Sequence, residues 1–292
     1  MISKITIAGA GTMGYSMAEI FAGKGYTVTL WNHRPEKLEL AKTKISPEIT
    51  DKICYTTDES AFRGADLIVE NIAENLEIKL EFYKKMSPLC DEDTIIATNT
   101  SGLSINKLSA AVVKPERFLG MHWFNPPTLV PLIEIIKNDH TEQNVAQTIY
   151  DLAIAIDKKP ALVEKDVPGF AANRIQMAVI RETLDMVKNG VISLKDADSV
   201  MKYGLGFRWA CIGPMETMDF GGLDIFYHIA EYLVPDLCDS QDVPELLAEK
   251  FNAGELGVKS GNGFYDYSEG KDNEATEERN RKLEALFKAL YS

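Results

Sequence analysis

The sequence predicts an α/β domain followed by an all-helical one, and three observations carry that prediction. A glycine-rich turn, Gly9-Ala10-Gly11-Thr12-Met13-Gly14, separates a short apolar strand from a helical stretch. Apolar strand-like runs then alternate with helical ones as far as 161–164, the pattern of a mostly parallel sheet covered on both faces. Beyond Gly169 strand character stops and the periodicity is helical almost to the end of the chain.

The elements follow in order. Ile5, Ile7 and Ala8 make the first strand, Met17, Ile20 and Phe21 give the next helix its apolar positions, and Gly25 ends it. The run 27–31 (TVTLW) closes a βαβ unit. Further strands are expected at 66–70, 94–97, 118–122, 132–136 and 161–164, with helices between most of them, notably 76–86 and 144–156. Lys165-Asp166-Val167-Pro168-Gly169 punctuates the chain, so the α/β domain is expected over 1–166 and the helical domain over 167–292. The second domain offers a long amphipathic helix at 171–188, a capping box at Ser193 and Asp196, a helix at 215–233 and a charged terminal helix at 274–290.

Composition narrows the partners. A chain of 292 residues holds two domains of ordinary size. Its formal charge of -13 repels nucleic acid and anionic membrane surfaces, whereas a small anionic substrate needs only local cations or a helix N-terminus. Cys54, Cys90, Cys211 and Cys238 are scattered and form no C-x-x-C pair, which speaks against a metal site or a disulfide framework. With no apolar run long enough to span a bilayer, the reading is a cytoplasmic protein.

Set between strand and helix, G-x-G-x-x-G is the Rossmann dinucleotide fingerprint. Gly9 makes the tight turn, Gly11 lets backbone approach a pyrophosphate, and Gly14 permits close helix–strand packing. Thr12 and Met13 begin the helix whose N–H groups and dipole favour the phosphates. At the end of the second strand, where NAD enzymes place a carboxylate on the adenosine ribose, this chain has Asn32, His33 and Arg34. Arg34 either pairs with a 2′-phosphate or is a solvated surface charge, so the expected cofactor is NAD or NADP.

His122 ends a buried strand pattern, and Glu134 lies among isoleucines twelve positions later, where an unpaired acid is costly. A His122–Glu134 pair would resolve that cost, fixing the imidazole tautomer and stabilising the imidazolium when His122 takes a proton. Considered alone, a satisfied structural histidine explains the residue equally well.

Taken together, GAGTMG, Asn99-Thr100-Ser101, GMHWFNPP with Glu134, KDVPGFAANR and Lys259-Ser260-Gly261-Asn262-Gly263-Phe264-Tyr265 resemble the 3-hydroxyacyl-CoA dehydrogenase family, in family order and over nearly the whole chain. The resemblance implies a Rossmann domain, a helical dimerisation domain that makes a homodimer, and an active site in the cleft between the two domains. It implies that His122 is the acid/base with Glu134 orienting it, and that Ser101 and Asn173 hold the substrate oxygen. It further implies that Glu74, Lys79, Asn99, Asn125 and Lys259 line the nicotinamide half of the cofactor. Each has a structural alternative: Ser101 serving its turn, Asn173 cross-linking helices, Glu74 and Lys79 forming a surface ion pair.

The chain departs from the CoA-thioester members in one place. Those members insert a long lysine-bearing helical hairpin after the second strand to clasp CoA, whereas 34–64 here is short, with only Lys37, Lys42, Lys44 and Lys52. Relatives with a trimmed segment resemble dehydrogenases of small free hydroxy acids or hydroxymethyl aromatic acids, and Gly204-Leu205-Gly206-Phe207-Arg208-Trp209 is similar to theirs. Two substrate readings follow: an (S)-3-hydroxyacyl compound such as 3-hydroxybutyryl-CoA, or a small free acid whose carboxylate Arg208 could take. A dinucleotide-binding protein without activity is the rival from another class, and the joint presence of His122, Glu134, Ser101 and Asn173 argues against it.

Overall fold

The apolar runs of the first half assemble into one eight-stranded sheet in the computed structural model of the chain, which describes residues 2–291. Its strands are β1 (Lys4–Ala8), β2 (Thr27–Trp31), β3 (Ile53–Thr56), β4 (Leu67–Glu70), β5 (Ile95–Thr98), β6 (Phe118–Trp123), β7 (Leu132–Lys137) and β8 (Lys159–Val163). Their spatial order is β3-β2-β1-β4-β5-β6-β7-β8, and the first six are parallel, as in doubly wound dinucleotide folds. Between them run α1 (Thr12–Gly23), α2 (Pro35–Lys42), α3 (Pro47–Thr50), α4 (Leu76–Met86), α5 (Ile105–Ser109) and α6 (Gln143–Ala155).

One apolar layer, with Met17, Phe21, Ile149 and Leu152, packs α1 and α6 on one face of the sheet, while Tyr83, Met86, Ile105 and Leu108 of α4 and α5 belong to a separate cluster. Central strands covered on both sides read as continuous apolar runs, which is why β1, β4 and β5 were legible.

Two features of the sheet go beyond the sequence reading. β3 was not foreseen: it is four residues at the sheet edge with a half-exposed pattern, too short and mixed for periodicity to reveal. β7 runs antiparallel to β6, so the sheet turns back on itself after the Phe124–Pro131 loop, and β8 then pairs parallel to β7. That reversal sets His122 directly opposite Glu134.

The chain divides into two compact units, Met1–Arg174 and Ile175–Ser292. The segment 167–174 stays with the first unit because Glu134 accepts hydrogen bonds from the backbone N–H groups of Ala171 and Ala172.

The second unit is helical: most of α7 (Ala172–Lys188), then α8 (Leu194–Val200), α9 (Gly206–Trp209), α10 (Pro214–Gly221), α11 (Leu223–Leu233), α12 (Glu245–Asn252) and α13 (Lys271–Tyr291). Ser193 caps α8 as expected, its hydroxyl oxygen accepting from the Asp196 N–H at 3.1 Å. The single helix expected over 215–233 is two, because Gly222 takes φ +92, a left-handed conformation that ends α10 and starts α11 at a new angle. Among the described residues no helix is long and apolar enough to cross a membrane.

Candidate active site

The glycine turn is built as the fingerprint requires. Gly9 has φ +117, donates its N–H to Trp31 O, and a Cβ there would meet Asn71 O at 2.4 Å. A Cβ on Gly14 would sit 1.8 Å from Gly9 O, so only glycine lets α1 start this close to β1. Gly11 differs: a Cβ there meets nothing within 4 Å, so its backbone faces open space. Gly11 is also the N-cap of α1 and offers no side-chain acceptor, and the first turn, beginning with Thr12 and Met13, carries no acid. The helix N-terminus is thus available to a phosphate.

Gly9, Ala10, Gly11 and Thr12 line a cleft of about 450 Å³ together with Asn32, His33, Arg34, Lys37, Lys44 and the Asn71–Ala73 turn. A second hollow of about 380 Å³ shares His33, Arg34, Ile72 and Ala73 with it and is walled by Trp31, Phe62 and Phe82. Open glycine backbone at a helix N-terminus beside a hollow walled by aromatic rings suits the phosphates and base of an adenine dinucleotide.

The imidazole lies at the other part of the sheet. His122 is 4% exposed and Glu134 1%, with Nδ1 to Oε2 2.9 Å. The other carboxylate oxygen accepts from Ala171 N at 3.0 Å and Ala172 N at 2.8 Å. Burial alone would raise the Glu134 carboxyl, but the hydrogen bond from His122 and the two backbone donors outweigh it and hold the group below its ordinary value. Glu134 therefore stays ionised and holds the imidazole by Nδ1, leaving Nε2 for chemistry.

The turn that aims those two N–H groups is unusual. Gly169 has φ +76 and Phe170 has φ +52, a conformation that a non-glycine residue adopts only when its surroundings impose it. Phe170 is 1% exposed and its ring packs edge-on against the imidazole at 5.7 Å, which supplies that constraint. Phe124 closes on the same imidazole at 4.5 Å.

Ser101 and Asn173 are brought together: Asn173 Nδ2 donates to the Ser101 carbonyl at 2.9 Å. The Ser101 hydroxyl has no partner among the described residues and is free to meet a ligand. Asn99 ties the end of β5 to its neighbours, donating to Asn71 Oδ1 and accepting from Trp123 N, each at 2.8 Å. Hydrogen bonds thus link the strand end at His122 to the Ser101 loop on one side and to α7 on the other.

Lys79 is no surface residue. It is 1% exposed, with its ammonium 2.5 Å from Glu70 and 3.4 Å from Glu74. Glu74 in turn accepts from Thr100 Oγ1 at 2.5 Å and Ser101 N at 2.9 Å. The ion pair weighed for Glu74 and Lys79 is present, but the lysine is buried and nearer to Glu70, and the half-exposed Glu74 carries the network on to the Ser101 loop. Asn125 is exposed in the loop after β6. Arg208 and Lys259 belong to the second unit, where both are exposed.

Sequence reasoning missed the centre of that network. Glu70 is fully buried and accepts from Lys79, Ile72 N, Tyr83 OH at 2.6 Å and Thr98 Oγ1 at 2.8 Å. The signal was present, since an acid closing the apolar run LIVE poses the same question as Glu134. Phe170 had no comparable signal: nothing in its residue type announces a positive φ.

Comparison with known proteins identifies the family of both domains. The NAD-binding domain model of 3-hydroxyacyl-CoA dehydrogenase matches residues 4–53 and 46–167, and the C-terminal domain model of the same family matches 169–267. The 5-formyl-3-hydroxy-2-methylpyridine 4-carboxylate 5-dehydrogenase of Mesorhizobium japonicum is 39% identical over 99% of both chains. A crystal structure of a 5-formyl-3-hydroxy-2-methylpyridine 4-carboxylic acid 5-dehydrogenase, an NAD+ dependent dismutase, superimposes with a TM-score of 0.93 at 38% identity, covering 99% of each chain. A probable 3-hydroxybutyryl-CoA dehydrogenase of Bacillus subtilis is 34% identical over 92% of this chain and 98% of its own. By both of its domains the chain belongs to the 3-hydroxyacyl-CoA dehydrogenase family, NAD-dependent oxidoreductases that act on CH–OH groups.

Proposed function

We propose that this dehydrogenase acts on the alcohol of a small free acid, of the hydroxy-acid or hydroxymethyl aromatic acid kind, rather than on a CoA thioester, with His122 moving the proton. The observation that carries the reading is the segment after β2, which folds as the short helices α2 and α3 and has no long hairpin to clasp the nucleotide end of CoA. The free pyridine carboxylate named for the Mesorhizobium relative supports the free-acid part of this reading, although the group at the position named for its dehydrogenation is a formyl.

NAD, bound along the Gly9–Gly14 turn, would accept the hydride. Glu134 keeps the imidazole in the tautomer whose Nε2 can take the hydroxyl proton, and then stabilises the imidazolium. The Ser101 hydroxyl and the remaining Asn173 amide N–H would hold the substrate oxygen without competing for that proton. Phe124 and Phe170 shield one side of the imidazole from water.

The test is a set of kcat/KM values for 3-hydroxybutyryl-CoA, free 3-hydroxybutyrate and hydroxymethylpyridine or hydroxymethylbenzene carboxylates. A free acid should exceed the thioester, and the reverse order would establish the 3-hydroxyacyl-CoA reading that the Bacillus relative favours.

We also infer a homodimer through the helical unit, because it leaves Tyr203, Phe207 and Phe220 each more than 70% exposed. Light scattering that returned a monomer mass at micromolar concentration would reject it. The four free thiols fit a reducing, cytoplasmic setting.

A further inference from the structure

One buried cation lies outside the chemistry of His122 and Glu134. Lys158, between α6 and β8, is 6% exposed, yet it forms no ion pair among the described residues. Its ammonium donates to Pro127 O and, at 2.9 Å, to Val130 O, and it lies over the Trp123 ring, 5.5 Å from the centroid. That indole is packed edge-on by Phe21 at 5.8 Å and its Nε1 has no acceptor among the described residues, so what it offers the cation is its π face. The surroundings bring little countercharge. The Phe124–Pro131 loop contains no ionisable side chain, the Asp157 carboxylate is exposed and paired with Lys24 of α1, and Lys159 at the start of β8 is exposed. Burial accordingly pushes the pKa of the Lys158 ammonium down to about 8, against a weaker upward pull from Asp157.

A methionine would fill the same space without the cost of desolvating a charge. What the ammonium adds is a grip on two carbonyls of one loop. That loop closes on itself, with Pro126 O accepting from Leu129 N and Val130 N at 3.0 Å, and Lys159 N holds its far end through Pro131 O at 2.9 Å. At its near end stands Phe124, whose ring lies 4.5 Å from the His122 imidazole. Lys158 joins this closed turn to the body of the sheet between those two ends.

We propose that Lys158 is a positioning residue for the dehydrogenase reaction: its charged ammonium pins the Phe124–Pro131 loop and so fixes the Phe124 ring against the His122 imidazole. The proposal rests on the reading of His122 as the acid/base. Protonated, Lys158 has donors for both carbonyls and a charge that strengthens each contact. Neutral, it keeps weaker donors and loses its attraction to the indole, so the loop is held less firmly as pH rises.

The pH profile of kcat on the best substrate tests it, with Lys158→Met beside the wild type. Lys158→Met should lower kcat at neutral pH by about tenfold, within the loss that a misplacement of about 1 Å brings. Wild-type kcat should fall as pH rises through about 8, and Lys158→Met, already slow, should lack that fall. A lysine that only supports the fold would lower the melting temperature and leave the shape of the profile alone. Lys158→Met with wild-type kcat, or with the same alkaline fall, overturns the proposal while the His122 reading stands. A second measurement leaves position 158 untouched and so decides the matter even where Lys158→Met does not fold. In protein labelled with 5-fluorotryptophan, the fluorine resonance of Trp123, one of three and assigned by its loss in Trp123→Phe, should shift with the same midpoint as kcat. A resonance that stays in place, or moves with another midpoint, overturns the proposal. If His122→Gln leaves kcat unchanged, the acid/base reading falls and the positioning role with it.

Discussion

Two carboxylates, Glu70 at the end of β4 and Glu134 within β7, are buried to the same degree in one sheet, yet the side chains around them do different things. Glu70 is saturated: Lys79, Tyr83, Thr98 and a backbone N–H account for both of its oxygens. Burial, and then the Glu70 carboxylate, push the Tyr83 phenol well above its ordinary value, so it remains a donor. Nothing in that cluster is left to react. Glu134 spends one oxygen on two backbone N–H groups and the other on an imidazole whose second nitrogen remains open. Equal burial costs are thus met once by a closed network that braces the Ser101 loop, and once by a pair that keeps a proton-transfer group poised.

That contrast predicts opposite consequences for removing a partner on either side, and the largest concerns catalysis. His122→Gln keeps a hydrogen bond to Glu134 but cannot carry a proton, so kcat should fall by roughly 10²–10⁴-fold while thermal stability barely changes. Steady-state kinetics on the best free acid, with a melting curve alongside, would show it. An unchanged kcat would move the acid/base elsewhere.

Glu70→Ala should do the reverse. It strands the Lys79 ammonium, leaving only Glu74 nearby, and breaking a buried pair from one side costs about 3–5 kcal/mol. Urea unfolding should register that loss. Phe170→Ala belongs to the same class, at about 3–5 kcal/mol for a buried aromatic, and should also lower kcat by loosening the turn that feeds Ala171 and Ala172 to Glu134.

The two clusters were unequally legible in the sequence. Strand runs such as those of β1, β4 and β5, and the glycine turn, follow from local rules of burial and backbone freedom, so periodicity and G-x-G-x-x-G were enough to find them. His122 and Glu134 could be paired on the argument that a buried acid needs a partner. Their antiparallel register could not, because the direction of β7 depends on how the Phe124–Pro131 loop returns and not on β7's own residues. Glu70 was overlooked because its partners come from 72, 79, 83 and 98, a spacing that becomes proximity only once α4 lies on the sheet. The break at Gly222 had a local signal in the Gly221-Gly222 pair, which the reading of one helix over 215–233 did not use.

The smallest effect is a pH dependence carried by Glu134. The Glu134 carboxyl is held below its ordinary value in the folded protein, so its contribution to stability is complete above the unfolded carboxyl pKa of about 4.3 and is lost as pH falls through the lower folded value. Over that acid window one such group can tilt unfolding free energy by at most about 1.4 kcal/mol per pH unit. Glu134→Gln removes the titrating group; its single amide oxygen can still accept from Ala171 and Ala172, but its NH2 then faces His122 Nδ1 as a donor and favours the tautomer with the proton on Nε2. Its melting temperature should therefore fall less steeply than that of the wild type between pH 5 and about 3, and near neutral pH its kcat should drop because a neutral amide no longer stabilises the imidazolium. Parallel acid limbs for the two proteins would mean that the His122–Glu134 pair carries no charge-dependent stability, and the imidazole would then be held by packing against Phe124 and Phe170 alone.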